Sequence, residues 1–207
     1  MWKTLWKPAV KTVEYAMTLA AAFLLAACAR APVAVVPADA VIALSEQFSS
    51  DFSLVDMNGA PAGSADFRGK VMIVYFGFAS CPDVCPLALS KLSAALNELS
   101  EAERAELAAL FISVDPERDT PEALKAYLAF DDRILGLTGD QAAVDAARQS
   151  FKVYARRHTL EGSALGYTMD HLSLYYLVDR AGRPKFALRD SITTDELIVM
   201  LRRSITG

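Results

Sequence analysis

The sequence predicts an α/β fold built around a mixed sheet whose central strands are covered on both faces. Two continuous apolar runs, residues 71–78 (VMIVYFGF) and 107–114 (LAALFISV), are rich in β-branched and aromatic side chains, as is typical of strands buried on both faces. A third run, residues 172–179 (LSLYYLVD), predicts another strand. Segments with helical apolar spacing lie between these runs, so strands alternate with helices.

Length and composition restrict the class of protein further. The chain has 207 residues, 53% of them hydrophobic and 22% charged, with 10 Gly and 9 Pro. This composition predicts one domain with a tail and excludes a collagen-like or wholly disordered protein. The net charge of −4 argues against nucleic acid as a partner, and three Cys are too few for a disulfide scaffold.

The N-terminus has the pattern of a secretory signal. A short segment with Lys3, Lys7 and Lys11 precedes an apolar run at residues 15–29, which is shorter than the about 20 residues that a membrane-spanning helix needs. The run contains Leu-Ala-Ala-Cys28, which resembles the lipobox of bacterial lipoproteins. This resemblance implies a lipoprotein signal peptide at residues 1–27 and lipidation of Cys28. The alternatives are an uncleaved signal anchor and a buried core helix.

The rest of the chain is predicted to divide into a tether and a domain. Residues 28–47 contain two Pro and almost no periodicity, so we interpret them as a membrane-proximal tether and residues 48–207 as the globular domain. Lipidation implies a bacterial cell-membrane location through the lipid anchor. The domain is then expected to face the periplasm or the outside, which is an oxidising environment.

The domain is expected to open with a β-hairpin. The segment 52–56 alternates apolar and polar residues, and Asn58-Gly59 follows it; both turn positions accept positive φ. After the strand at 71–78, a row of leucines predicts a helix, and the strand at 107–114 comes next. Asp119 or Thr120 is expected to cap the following helix, which runs to about residue 130.

The remaining elements complete the predicted order. Thr138-Gly139-Asp140 introduces a helix that extends to about Phe151, and the strand at 172–179 is followed by one at 184–188. Thr193 or Thr194 caps a final helix. A thioredoxin-like fold with an N-terminal β-hairpin and an inserted helix accommodates this order.

The feature that points to chemistry is Cys81-x-x-x-Cys85, where a buried strand meets a helix. Two sulfurs about one helical turn apart can form a disulfide or bind one soft metal ion. The helix N-terminus favours the thiolate, which is the form that binds metal and attacks disulfides. An inert disulfide is the structural alternative, but a bridge over three residues would constrain the unfolded chain little.

His171, just before the strand at 172–179, is the candidate third ligand. Two thiolates and one imidazole suit copper, with Cu(I) favoured by sulfur and Cu(II) by the histidine; zinc also accepts this ligand set. A histidine satisfied within a loop or core is the alternative. We interpret His158, in a basic stretch, as solvated. We expect Asp115 and Asp119 to serve a turn and a helix cap, and a contact with a partner is the alternative.

Three segments together resemble the Sco/SenC family. They are residues 76–86 (FGFASCPDVCP), residues 112–122 (ISVDPERDTPE), and Asp170-His171 followed by residues 176–179 (YLVD). They occur in the family's order, and the match spans about residues 48–205. Ala79 and Leu172 stand where the family often has Thr and Ser or Thr, and neither position is a ligand.

The resemblance implies a membrane-anchored, thioredoxin-like copper chaperone that helps to assemble cytochrome c oxidase. Its expected partner is oxidase subunit II, or a similar cuproprotein, at the dinuclear copper site. Carried over residue by residue, the copper ligands for Cu(I) and Cu(II) are Cys81, Cys85 and His171. Cys81 and Cys85 are also implied to form the redox disulfide, and no catalytic residue is expected.

Two other functions compete with copper delivery. A thiol–disulfide oxidoreductase would use the same dithiol, although the spacing is Cys-x-x-x-Cys and the segment before Leu172 lacks the Pro that faces the dithiol in thioredoxins. A peroxidase is disfavoured because Phe78 stands three residues before Cys81, where peroxiredoxins have Thr.

Overall fold

The computed structural model of the protein describes residues 34–207. The predicted signal peptide, Cys28 and the first part of the predicted tether lie outside the described residues. Within residues 34–207 the regular elements are, in chain order, β1 (Val41–Ala43), β2 (Ser53–Asp56), β3 (Pro61–Gly63), β4 (Val71–Gly77), α1 (Val84–Glu98), α2 (Glu101–Ala105), β5 (Leu107–Ser113), α3 (Pro121–Tyr127), β6 (Ile134–Thr138), α4 (Gln141–Ser150), β7 (Ala155–Thr159), β8 (Tyr167–His171), β9 (Leu174–Val178), β10 (Pro184–Arg189) and α5 (Thr194–Thr206).

Eight of these strands form one mixed sheet in the order β1-β10-β9-β4-β5-β6-β2-β3. β4, β5 and β6 run parallel, and the other neighbours pair antiparallel. The predicted α/β, thioredoxin-like fold is confirmed. Its predicted N-terminal hairpin is β2–β3, with Gly59 at φ +85° in the turn.

The centre of the sheet is buried on both faces, as the apolar run at 71–78 indicates. Every residue of β4 is buried. On one face, Phe76 packs edge-on against Phe151 and Tyr176 at centroid distances of 5.2 and 5.9 Å. On the other face, Tyr175 donates a hydrogen bond of 2.7 Å to the Ala88 carbonyl of α1. Helices therefore cover both faces of β4 and hold its carboxyl end in place.

The sheet begins before the predicted domain start at residue 48. Val41–Ala43 pairs with β10 as an edge strand, so part of the segment interpreted as a tether belongs to the domain. Three residues are too few to show a period, and the pairing depends on a partner almost 150 residues later in the chain.

Four further elements were not predicted. β6 is a short ILGLT segment that is held between β5 and β2, and α2 is a single turn with a capping box between Ser100 and Glu103. The other two are β7 and β8, which form a separate antiparallel hairpin. Most side chains of β7 are exposed, so no apolar alternation marked this strand.

Among residues 34–207, no helix combines the length and the hydropathy that a membrane span requires.

Candidate metal centre

Cys81 and Cys85 lie at the carboxyl end of β4, on either side of the start of α1. Cys81 sits in the loop, where its backbone N–H donates to the Phe78 carbonyl at 3.2 Å. Asp83 is the N-cap residue, although its side chain makes no capping bond. The helix begins at Val84, so Cys85 is its second residue. The cysteines therefore flank the helix start, rather than both lying on the helix.

Both cysteines are free thiols and both are buried, Cys81 with 8% of its surface exposed and Cys85 with none. Gly77 makes room for the second sulfur. A Cβ at this position would lie 2.9 Å from Cys85 Sγ and 2.8 Å from a ring carbon of Phe111, closer than real Cβ atoms approach. A side chain at residue 77 would therefore displace the sulfur or the ring.

The β7–β8 hairpin brings His171 to this pair. His171 is the last residue of β8, and its Nε2 lies 3.6 Å from Cys85 Sγ. Its Nδ1 lies 3.1 Å from the Leu172 carbonyl oxygen. Because a carbonyl only accepts, Nδ1 is the donor in this contact, and Nε2 is the ring nitrogen that faces the sulfur. Phe78 packs edge-on against the imidazole at 5.7 Å.

The distance between Cys85 and His171 suits two ligands of one ion. Bonds of about 2.3 Å to sulfur and about 2.05 Å to nitrogen at a tetrahedral angle place the two ligand atoms about 3.6 Å apart. Among residues 34–207, however, no three His, Cys, Asp or Glu side chains already form a closed ligand shell. The Cys85–His171 distance thus suits two ligands of one copper or zinc ion, and a third ligand would need to move to join them.

The hydrogen bond between the two cysteines shifts their pKa values in opposite directions. A hydrogen bond from Cys85 lowers the pKa of Cys81; burial opposes this effect and a bond with His171 adds to it. The same interaction with Cys81, together with burial, raises the pKa of Cys85. Cys81 is therefore the thiolate and Cys85 the thiol. A thiolate in the more exposed position is the one that an incoming metal ion or disulfide meets first.

Asp119 connects β5 to the loop between β4 and α1, which carries Cys81 and which we call the cysteine loop. Its carboxylate accepts a hydrogen bond of 2.6 Å from the Ser113 hydroxyl and one of 3.1 Å from the Ala79 backbone N–H. Thr120 caps α3 by accepting from the Ala123 N–H. The cap predicted for Asp119 or Thr120 is thus made by Thr120, and the contact of Asp119 with the cysteine loop was not predicted. His158 is exposed on β7.

Comparison with known proteins gives a consistent result. The SCO1/SenC family matches residues 42–206. A SCO2-like protein of Rickettsia felis is 36% identical over 138 residues, which cover 66% of this chain and 67% of the relative. The structure of Bradyrhizobium japonicum ScoI with copper bound superposes with a TM-score of 0.69 at 38% identity, and the match covers 76% of this chain and 99% of that one. A SCO1/SenC family lipoprotein from Bacillus anthracis has a TM-score of 0.63 at 25% identity, covering 77% and 95% of the two chains.

We predict that Asp119→Asn changes the pH dependence of stability. Burial raises the pKa of Asp119 to about 6, and its bonds with Ser113 and Ala79 only partly offset this effect. The folded state therefore favours the protonated acid. This contribution to stability is complete below about pH 4 and is lost as the pH rises through about 6.

The asparagine variant should not show this loss. Its free energy of unfolding at pH 7, relative to pH 4, should exceed that of the parent by roughly 2–3 kcal/mol. Urea unfolding at both pH values measures the difference. Equal pH dependence in the two proteins would contradict the prediction.

Proposed function

The chain belongs to the SCO1/SenC family, and from this membership we propose that it is a copper-binding chaperone that assists assembly of the dinuclear copper site of cytochrome c oxidase subunit II. The observation that carries the proposal is the 3.6 Å distance between Cys85 Sγ and His171 Nε2. These residues are 86 positions apart, and the fold brings them together beside Cys81. The related B. japonicum protein was solved with copper bound.

Copper is the cargo of this site. Two sulfur ligands favour Cu(I), and the imidazole adds affinity for Cu(II), so Cys81, Cys85 and His171 together suit both oxidation states. Such a site is expected to keep copper bound in an oxidising compartment until the protein meets its partner.

Delivery is a ligand exchange in which no electron moves. A thiolate of the partner forms a bond to Cu(I) while a bond from one cysteine breaks, and the second cysteine follows. Cys81, with 8% of its surface exposed, is reached before the fully buried Cys85. Complete release therefore requires the His171 hairpin to move away from Cys85.

Copper titration tests this proposal directly. Cys85→Ser should lower the affinity for both Cu(I) and Cu(II) by more than tenfold, and His171→Ala should lower the affinity for Cu(II) by more than tenfold, since a lost ligand bond exceeds the about 1.4 kcal/mol that a tenfold change represents. The effect of His171→Ala should be larger for Cu(II) than for Cu(I). Anaerobic titration followed by absorption measures both affinities.

The matched control is His158→Ala, which removes the exposed histidine of β7 and should bind copper as the parent does. If His171→Ala or Cys85→Ser bound copper as tightly as the parent, the proposed ligand set would be wrong.

A second candidate function, reduction of the oxidase copper-site cysteines, is favoured by the thiolate character of Cys81. The Cys81 thiolate would attack a disulfide of the partner, form a mixed disulfide and release one partner thiolate. Cys85 would then lose its proton and attack Cys81, which releases the second partner thiolate. The dithiol supplies both electrons and becomes a Cys81–Cys85 disulfide.

The two functions separate by their need for His171. If reduction is the activity, stoichiometric reduced protein should generate two thiols per disulfide in an oxidised copper-site domain of subunit II, Cys81→Ser should abolish this, and His171→Ala should not. Thiol titration of the partner measures the outcome. Absence of new partner thiols would exclude this function.

We also propose that the domain is anchored to a bacterial membrane through lipid on Cys28, on the strength of the Leu-Ala-Ala-Cys28 tetrad and the B. anthracis lipoprotein of the same family. Mass spectrometry of protein from its own membranes should find Cys28 as the first residue and carrying diacylglycerol. Cys28→Ser should abolish the modification. An unmodified Cys28 within an intact N-terminal segment would point to the uncleaved signal anchor.

A further inference from the structure

The loop between β5 and α3, residues 115–119, contacts both halves of the candidate copper site. One end of the loop bonds to the segment that carries the cysteines, and the rest bonds to the hairpin that carries His171. These two halves come from distant parts of the chain, so a single loop that contacts both can set their relative position. We call residues 115–119 the bridging loop.

The first contact is made by Asp119. Its buried carboxylate accepts from the Ala79 N–H, two residues before Cys81, and from the Ser113 hydroxyl at the end of β5. Asp119 thereby ties the cysteine loop to the end of the neighbouring strand.

The second contact centres on Tyr167, the first residue of β8. Its hydroxyl donates a 2.7 Å hydrogen bond to the buried Asp115 carboxylate, which also accepts from Arg118 Nε at 2.5 Å. Arg118 Nη1 donates to the Tyr167 backbone carbonyl at 3.1 Å, and the guanidinium lies 3.8 Å from the centre of the tyrosine ring. This network is largely desolvated, so its bonds are stronger than those of exposed pairs.

A second guanidinium covers the opposite side of the tyrosine. The Cζ atom of Arg157 lies 3.5 Å from the ring centre, and Arg157 forms an ion pair of 2.7 Å with Glu117 of the bridging loop. This pair is more than half exposed on both partners and is expected to add little by itself. The cluster around Tyr167 therefore depends mainly on Asp115 and Arg118.

The position of Tyr167 on the strand connects this cluster to the metal ligand. In a β-strand residues i and i+4 lie on one face, so Tyr167 and His171 share a face of β8. We propose that Asp115, Arg118 and Tyr167 are positioning residues for His171, and that Asp119 positions the cysteine loop, so that the bridging loop sets the distance between the two halves of the copper site. This inference rests on the proposed copper-binding function and deepens it.

The two contacts have different expected effects on copper. Loss of the Tyr167 contact releases His171 and leaves the two sulfurs in place, so Cu(II) affinity should fall while Cu(I) affinity is kept. Loss of the Asp119 contact disturbs the cysteines and should weaken both. This difference separates positioning of a ligand from general destabilisation of the domain.

A double-mutant cycle tests the inference. Tyr167→Phe keeps the ring between the two guanidinium groups and removes only the hydroxyl bonded to Asp115. It should lower Cu(II) affinity five- to tenfold in the parent, change Cu(I) affinity less than twofold, and have no further effect in a His171→Ala background. Asp119→Ala should lower affinity in both backgrounds. The matched control is Tyr154→Phe, which removes the hydroxyl of a tyrosine that is 50% exposed and should change neither affinity.

The outcomes are distinguishable. An equal loss of Cu(II) affinity from Tyr167→Phe with and without His171 would overturn the positioning role, as would no loss at all in a folded variant. Unchanged Cu(II) affinity of His171→Ala itself would overturn the proposed ligand set, and the positioning role with it. If Tyr167→Phe does not fold, Arg118→Lys, which keeps the charge but loses the guanidinium geometry, undergoes the same cycle with the same expected result.

Discussion

The candidate site depends on the space that Gly77 leaves at the end of the central strand. Cys85 Sγ occupies the volume that a Cβ of residue 77 would need, and the Phe111 ring closes the same space from the next strand. The sulfur is therefore held in a fully buried position by backbone and core packing, not by a flexible loop. Everything else at the site, including the charge of Cys81 and the approach of His171, is arranged around this fixed atom.

Burial gives the polar groups around the cysteines their importance. A thiolate and two carboxylates lie within a few residues of the end of the sheet, where water does little to reduce their interactions. Each has bonding partners: Cys81 has Cys85, Asp119 has Ser113 and Ala79, and Asp115 has Arg118 and Tyr167. The bonds that satisfy the two carboxylates are the same bonds that join the cysteine loop, the bridging loop and the His171 hairpin.

This arrangement combines a rigid half with a docked half. The cysteines are placed by β4 and α1, which belong to the core. His171 is carried by a small hairpin outside the main sheet. The cluster at Tyr167 holds the start of β8, and a hydrogen bond of 2.5 Å between the Tyr75 and Ser173 hydroxyls holds the chain just after His171. In the proposed copper-chaperone function, His171 would be a ligand on a docked element and could leave the metal without unfolding the domain.

The sequence by itself determined the central strands, the hairpin at Asn58-Gly59, the caps of the later helices and the three residues that the motifs single out, because these depend on local pattern and on side-chain chemistry. The tertiary structure alone decided that Cys85 and His171 are neighbours, that the chain pairs as a strand from Val41, and that a mostly exposed hairpin carries the histidine. It also decided the role of Asp119, whose local pattern fits a helix cap. The physical reason is that β7 has no apolar face of its own, so its pairing with β8 leaves no apolar alternation in the sequence. β1 is too short to show a period and forms only where a partner almost 150 residues away supplies its bonds.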